Sequence, residues 1–173
     1  YFDDATIQDW AQQSQRGQDS VQKLFSLLGS PFAESKRQNM GTSADFLGLE
    51  HNTEHVVSHG HVSFWVRERI EQKMLHMVTL AERSNYFPSG TASKLYGTAN
   101  FWETGSFGKI GRAGLNAISD RQYDKDTGVH QSLRRSFEVL KVINAVQPRR
   151  IVSVNADIVE RFCGASDAVS YTH

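Results

Sequence analysis

Apolar residues change their spacing partway along the chain, and the structure they favour changes with it. Val21, Leu24, Phe25 and Leu28 stand at i, i+3, i+4 and i+7, which predicts one apolar face of a helix over roughly 15–28. Gly29 suits the left-handed residue that commonly closes a helix, and Pro31 cannot continue one. Short apolar runs come next and predict strands near 31–37 and 44–51. Over His61–Val66, Val62, Phe64 and Val66 alternate with more polar neighbours, although Trp65 interrupts the polar face; this reads as a short strand or the lead into a helix. From Val66 onward the period becomes 3.6. Ile70, Met74, Met77, Val78 and Ala81 mark a helix over 66–84, punctuated by Asn85 and Pro88. Leu95, Ala99 and Trp102 mark a second over 92–102. Leu133, Phe137, Leu140, Ile143 and Val146 mark a third over 132–146, with Ser132 as N-cap and Pro148 at its end. Ile151, Val152 and Val154 predict one more strand. The expected class is α+β: short strands with one helix, then mostly helices from 66 to 146.

The chain opens on Tyr1-Phe2-Asp3-Asp4. Two adjacent carboxylates beside an apolar pair suit divalent cations, which take hard oxygen ligands and can clamp both oxygens of a phosphoryl transfer. Neighbours on a regular strand point to opposite faces, so Asp3 and Asp4 can share a site only at a hairpin turn.

In order along the chain come Asp3-Asp4, a helix ending in Leu27-Leu28-Gly29, Lys36 on the next segment, and Phe46-Leu47-Gly48. Together they resemble the second half of a reverse-transcriptase palm, most closely that of retrotransposon polyproteins. The resemblance implies that Asp3 and Asp4 are catalytic carboxylates holding Mg2+ or Mn2+. It places Lys36 near the incoming nucleotide, and Phe46, Leu47 and Gly48 in the primer grip. Lys94-Leu95-Tyr96-Gly97, followed by Asn100-Phe101, is similar to a block that comes after the palm in such polyproteins. The likeness is good over residues 1–50, moderate over 60–123 and thin beyond. It implies a C-terminal palm part over 1–65, a helical thumb or connection region over 66–147, and the start of a ribonuclease H-like domain over 148–173. In that last region Asp167-Ala168 resembles the Asp and small residue of a first strand, with Val169 where a small hydroxyl residue is usual. The implied reaction is addition of a deoxynucleotide to a primer 3′-hydroxyl, with primer–template and deoxynucleotide triphosphates as partners. A palm needs a further upstream Asp and template-holding residues, and this chain starts on the motif rather than on Met. It is therefore expected to be a fragment, inactive by itself. The rival expectations are a degenerate element remnant, a non-enzymatic nucleic-acid-binding protein and a helical interaction protein.

Charge sharpens this division. The 173 residues have zero formal net charge, yet residues 1–60 carry eight acids against four bases, and 61–173 fifteen bases against eleven acids. An acidic half followed by a basic one fits metal at one end and phosphate backbone at the other, and it equally fits an ordinary solvated surface. The single cysteine, Cys163, excludes a disulfide or a Cys-based zinc site within this chain. No apolar run approaches a membrane span and no signal peptide is visible, so a membrane partner is not expected and an intracellular setting is.

Two local patterns remain. Glycines at 105, 108, 111 and 114 bracket Lys109 and Arg112. Such spacing lets backbone approach another surface closely, either a nucleic-acid duplex met by the cations or the protein's own core, and the second is the stronger expectation. Lys94, Lys109, Arg112 and Arg121 are the candidate nucleic-acid-binding residues. Histidines at 51, 55, 59 and 61 have spacings that would suit a zinc site on a helix. Val56-Val57-Ser58 and Gly60 argue against a helix there, and a solvated loop is expected.

Overall fold

The computed structural model describes residues 7, 11–13 and 15–154, so Asp3, Asp4 and Asp167 lie outside the described residues. Four short strands make one antiparallel sheet in the order β1-β2-β3-β4: β1 Ser43–Phe46, β2 Leu49–Asn52, β3 His61–Val66 and β4 Arg150–Ser153. The predicted strand over 44–51 is thus a hairpin, with Phe46 opposite Leu49. Leu47 and Gly48 turn it with φ of +50° and +81°. Both central residues of a tight two-residue hairpin turn take positive φ, because that backbone twist matches the strands it joins. Residues 150–153, expected to open a third region, pair with β3 and complete the same sheet.

Helix α1, Arg16–Leu27, forms where the periodicity predicts it, but its apolar face is not buried. Leu24 and Leu28 are exposed and Leu27 is 78% exposed, while Phe25 tilts onto Phe32 with ring centres 4.7 Å apart. The strand predicted over 31–37 does not form. The chain is irregular there with one 3-10 turn, Glu34–Lys36. Pro31 lacks a ladder donor, and Arg37 is drawn back to α1 by Asp19 Oδ1 at 2.5 Å and Gln22 Oε1 at 2.7 Å. The expected solvated loop between β2 and β3 is instead a single helical turn, α2, Val56–His59, closed by Gly60 in the left-handed region.

The core lies among the later helices. Helix α3, Glu68–Ser84, buries Met74, Val78 and Ala81; α4, Ser89–Trp102, buries Ala92, Leu95, Ala99 and Trp102. Helix α5, Asn116–Arg121, was not predicted and contributes Ile118. Helix α6, Gln131–Val146, contributes Leu133, Phe137, Leu140 and Ile143. His130, not Ser132, is its N-cap, and Gln147 in the left-handed region ends it before Pro148. Phe87, between α3 and α4, meets Phe137 edge-on at 5.3 Å, and both rings are fully buried. Among the described residues no helix is long and apolar enough to cross a membrane.

Because stability depends on area removed from water, these two apolar faces should respond differently to truncation. Phe137→Ala is expected to destabilise by about 3–5 kcal/mol. Leu27→Ala on the exposed face of α1 should change stability by no more than about 0.5 kcal/mol. Urea unfolding of the two variants beside the parent chain checks both values.

Candidate nucleic-acid interface

The β1–β2 turn is held from behind. A Cβ on Gly48 would lie 3.0 Å from Phe101 Cζ and 3.8 Å from Ile70 Cδ1, so the absence of a side chain lets the turn rest on α4 and α3. Leu47 beside it is 65% exposed. At the other end of the turn, Arg67 Nε stands 3.1 Å from Asp45 Oδ2, close enough to pair the charges but without hydrogen-bond alignment. One face of the sheet is apolar and partly open. His51 of β2, Phe64 of β3 and Arg150 of β4 occupy one row across the strands. Phe46, Leu47, Leu49 and Val152 complete a groove of about 320 Å3. The ring of His51 is 6.0 Å from Phe46 and 4.8 Å from Phe64, edge-on to both. Burial pushes its pKa down, and the charge of Asp45 opposes that. Aromatic rings with a cation at the margin suit the stacking and backbone contacts of single-stranded nucleic acid.

The glycine-rich segment packs against the protein itself. It is a series of 3-10 turns, Glu103–Gly105, Phe107–Lys109 and Arg112–Leu115. A Cβ on Gly105 would sit 2.8 Å from Val66, and one on Gly114 would sit 2.9 Å from Val139 of α6. Gly111 leaves room for the Glu103 carboxylate, and Gly108 has φ +64°. Lys109 and Arg112 project from the exposed side of these turns. Beneath them Glu103 is buried, and neither carboxylate oxygen has a hydrogen-bond partner. Burial pushes its pKa up; contact with the Gly111 backbone amide and the charges of Arg112 and Lys109 act in the opposite sense.

Lys94 is on the exposed side of α4. Arg121 is not on a surface with it. Its side chain is 3% exposed, and its guanidinium donates to the carbonyl oxygens of Asp126 and, at 2.7 Å, Gly128. It therefore pins the loop after α5 instead of presenting charge to a phosphate. The carboxyl of Asp126 is held down at about 2, first by the Gly128 N–H and then by His130. Lys36 belongs to the 3-10 turn after α1. Asp3, Asp4 and Asp167 lie outside the described residues.

A second groove, of about 290 Å3, was not legible in the pattern of the chain. It gathers Glu50 from β2, Glu68 and Glu71 from α3, Trp65, Trp102 and Arg149. The Trp65 indole donates to Glu50 Oε2 at 2.8 Å, and the Arg149 guanidinium lies 4.3 Å from the Trp65 ring centre. Burial raises the pKa of Glu71; a hydrogen bond from Trp102 lowers it, Glu68 raises it and Arg149 lowers it. Three carboxylates make this groove a poor neighbour for phosphate. Among the described residues no group of three or more His, Cys, Asp or Glu side chains is set to hold a metal ion. Compared with protein-family models, curated proteins and solved structures, the chain matches none of them.

The buried acid yields a pH test. A carboxyl whose pKa is higher folded than unfolded binds its proton more tightly in the native state. Its favourable contribution is complete below the unfolded pKa and is lost as pH rises through the folded one. Glu103→Gln should therefore raise stability at pH 7 and change it little near pH 4, measured by urea unfolding at the two values. Equal effects at both would show that the Glu103 carboxylate is not strained by burial.

Proposed function

We propose that the chain is the C-terminal palm and the thumb or connection region of an RNA-directed DNA polymerase, acting on primer–template nucleic acid and deoxynucleotide triphosphates. The observation that supports this reading best is how the hairpin is joined to the helical region. Phe46-Leu47-Gly48 forms the β1–β2 turn, β3 pairs beside it, and the chain passes directly into α3 and α4, whose Ile70 and Phe101 seat that turn. A segment that grips a primer terminus must be fixed relative to the body that carries the duplex, since small displacements of reacting atoms cost much of the rate.

Asp3 and Asp4 offer the hard carboxylate oxygens that Mg2+ or Mn2+ take, and such ions supply charge stabilisation to phosphoryl transfer. Lys36 contributes positive charge near the incoming nucleotide. The exposed Leu47 tip and the aromatic row behind it bear on the primer strand. Lys94, Lys109 and Arg112 meet phosphates, with Arg121 in a structural role behind them. Asp167 belongs, in the same reading, to the start of a ribonuclease H-like domain over 148–173.

Two measurements test this. Asp3→Asn/Asp4→Asn should abolish primer extension by a polypeptide that joins this chain to an upstream palm strand and template-holding segment, and the 173-residue chain alone should not exceed that variant. Extension that survives the double substitution would overturn the assignment. Primer–template binding should be strongly salt-dependent, and Lys109→Ala/Arg112→Ala should flatten the plot of log affinity against log salt by roughly 1–2 units. An unchanged slope would leave those cations without a phosphate role. Salt-dependent binding by a joined polypeptide that cannot extend a primer would favour the non-enzymatic nucleic-acid-binding reading.

A further inference from the structure

His55, His59 and His61 meet at the surface although the backbone changes character twice between them. The helical turn of α2 puts His55 and His59 four residues apart on one side. Gly60, with φ +65°, then redirects the chain, and His61 opens β3. The ring centres are 5.2 Å apart for His55 and His59, 5.5 Å for His55 and His61, and 5.7 Å for His59 and His61, a nearly equilateral triangle. The hydroxyl of Ser58 lies 2.8 Å from His59 Nδ1.

We propose that these three histidines form a site for a borderline divalent transition-metal ion, with Zn2+ the first choice. For imidazoles bound to zinc through Nε2 at about 2.0–2.1 Å in tetrahedral geometry, ring centres stand roughly 5.2 Å apart. The triangle already has nearly that size. As placed, the three rings are not a group that could hold the ion, so binding requires rings to turn. His55 and His59 are exposed, so their rings can turn without disturbing the core. The backbone beneath is held in place. Gly60 O accepts the Val154 N–H at 2.8 Å and the Ser153 hydroxyl at 3.4 Å, and His61 is in register with Ser153 of β4. The Ser58 hydroxyl occupies the Nδ1 side of His59, which leaves Nε2 as the donor, the arrangement that fixes ligand histidines in metal sites. Three neutral nitrogen donors select Zn2+, Ni2+ or Cu2+ over Mg2+ and Ca2+, so this site is chemically separate from the Asp3 and Asp4 carboxylates. The assignment does not rest on the polymerase reading.

The tag-free 173-residue chain should bind one equivalent of Co2+ with the visible absorption of a tetrahedral nitrogen site, and Zn2+ should displace it. Excess Mg2+ should not. His59→Ala and His61→Ala should each weaken binding by at least about tenfold, and Ser58→Ala by about tenfold through the lost orienting contact, while His130→Ala leaves it unchanged. Zn2+ should raise the unfolding midpoint of the parent chain and not that of His55→Ala/His59→Ala. Imidazole 15N resonances of the unsubstituted protein give a reading that needs no variant: Zn2+ should shift those of His55, His59 and His61 and spare His51, His76 and His130. Absence of one-equivalent binding, retention of affinity in the double variant, or shifts confined to other histidines would each overturn the site.

Discussion

The arrangement of this protein depends on the close approach of two backbone segments, Gly48 and Gly105, to the side chains behind them. Gly48 lets the β1–β2 turn rest on Phe101 and Ile70, and Gly105 lets the turn after α4 lie directly on Val66 at the end of β3. A methyl group at Gly105 would meet Val66 backbone and side chain at 2.8 Å and force the turn off the sheet, and one at Gly48 would press on the Phe101 ring at 3.0 Å. The sheet has few buried residues of its own: of its four strands only Val66 joins the buried core. Its position is therefore set by these two contacts and by β4 returning to pair with β3, rather than by a thick apolar layer of its own. Phe46, His51 and Phe64 line a groove that stays partly open on the same sheet face that carries Leu49 and Val66.

Electrostatics divides the molecule more finely than the two halves of its charge count suggest. Lys109 and Arg112 stand over a buried Glu103, which lowers the field they project outward. Glu50, Glu68 and Glu71 gather beside Trp65 into an acidic groove. Arg121 is withdrawn altogether, because its guanidinium donates to two loop carbonyls, those of Asp126 and Gly128. Cations counted along the chain are thus unequal as binding groups. A buried guanidinium with its donors engaged, and with the Asp124 and Asp126 carboxylates at 4.0 and 3.9 Å, holds loop geometry and projects little net charge outward.

Local pattern served best where one turn of helix repeats the last. The stripes of α3, α4 and α6 are legible because core-facing positions recur every three to four residues, and the structure buries Met74, Val78, Leu95, Ala99, Phe137 and Leu140 as those stripes require. It served worse where the partner is distant in sequence. The segment 31–37 has apolar residues but no strand beside it, and Arg37 is drawn to α1 instead. Helix α1 has a clear apolar face with little against it among the described residues. The histidines were dispersed in expectation because Val56-Val57 and Gly60 disfavour a long helix. A single turn, closed by that same glycine, was enough to gather three rings.

From its sequence alone, this protein's α+β character, the start of its helical half near Val66, the three main helices and the candidate carboxylates Asp3 and Asp4 could be read. All of these rest on residues close in the chain or on the chemistry of one side chain. Tertiary structure decided that residues 150–153 close the first sheet, that Arg121 turns inward, that Glu103 lies under Gly111, and that three carboxylates share a groove with Trp65. The physical reason is the same in each case. Strand pairing across some ninety residues, burial of a charge and convergence of side chains from separate elements depend on which surfaces meet, and hydrophobic spacing records only which surfaces must be covered.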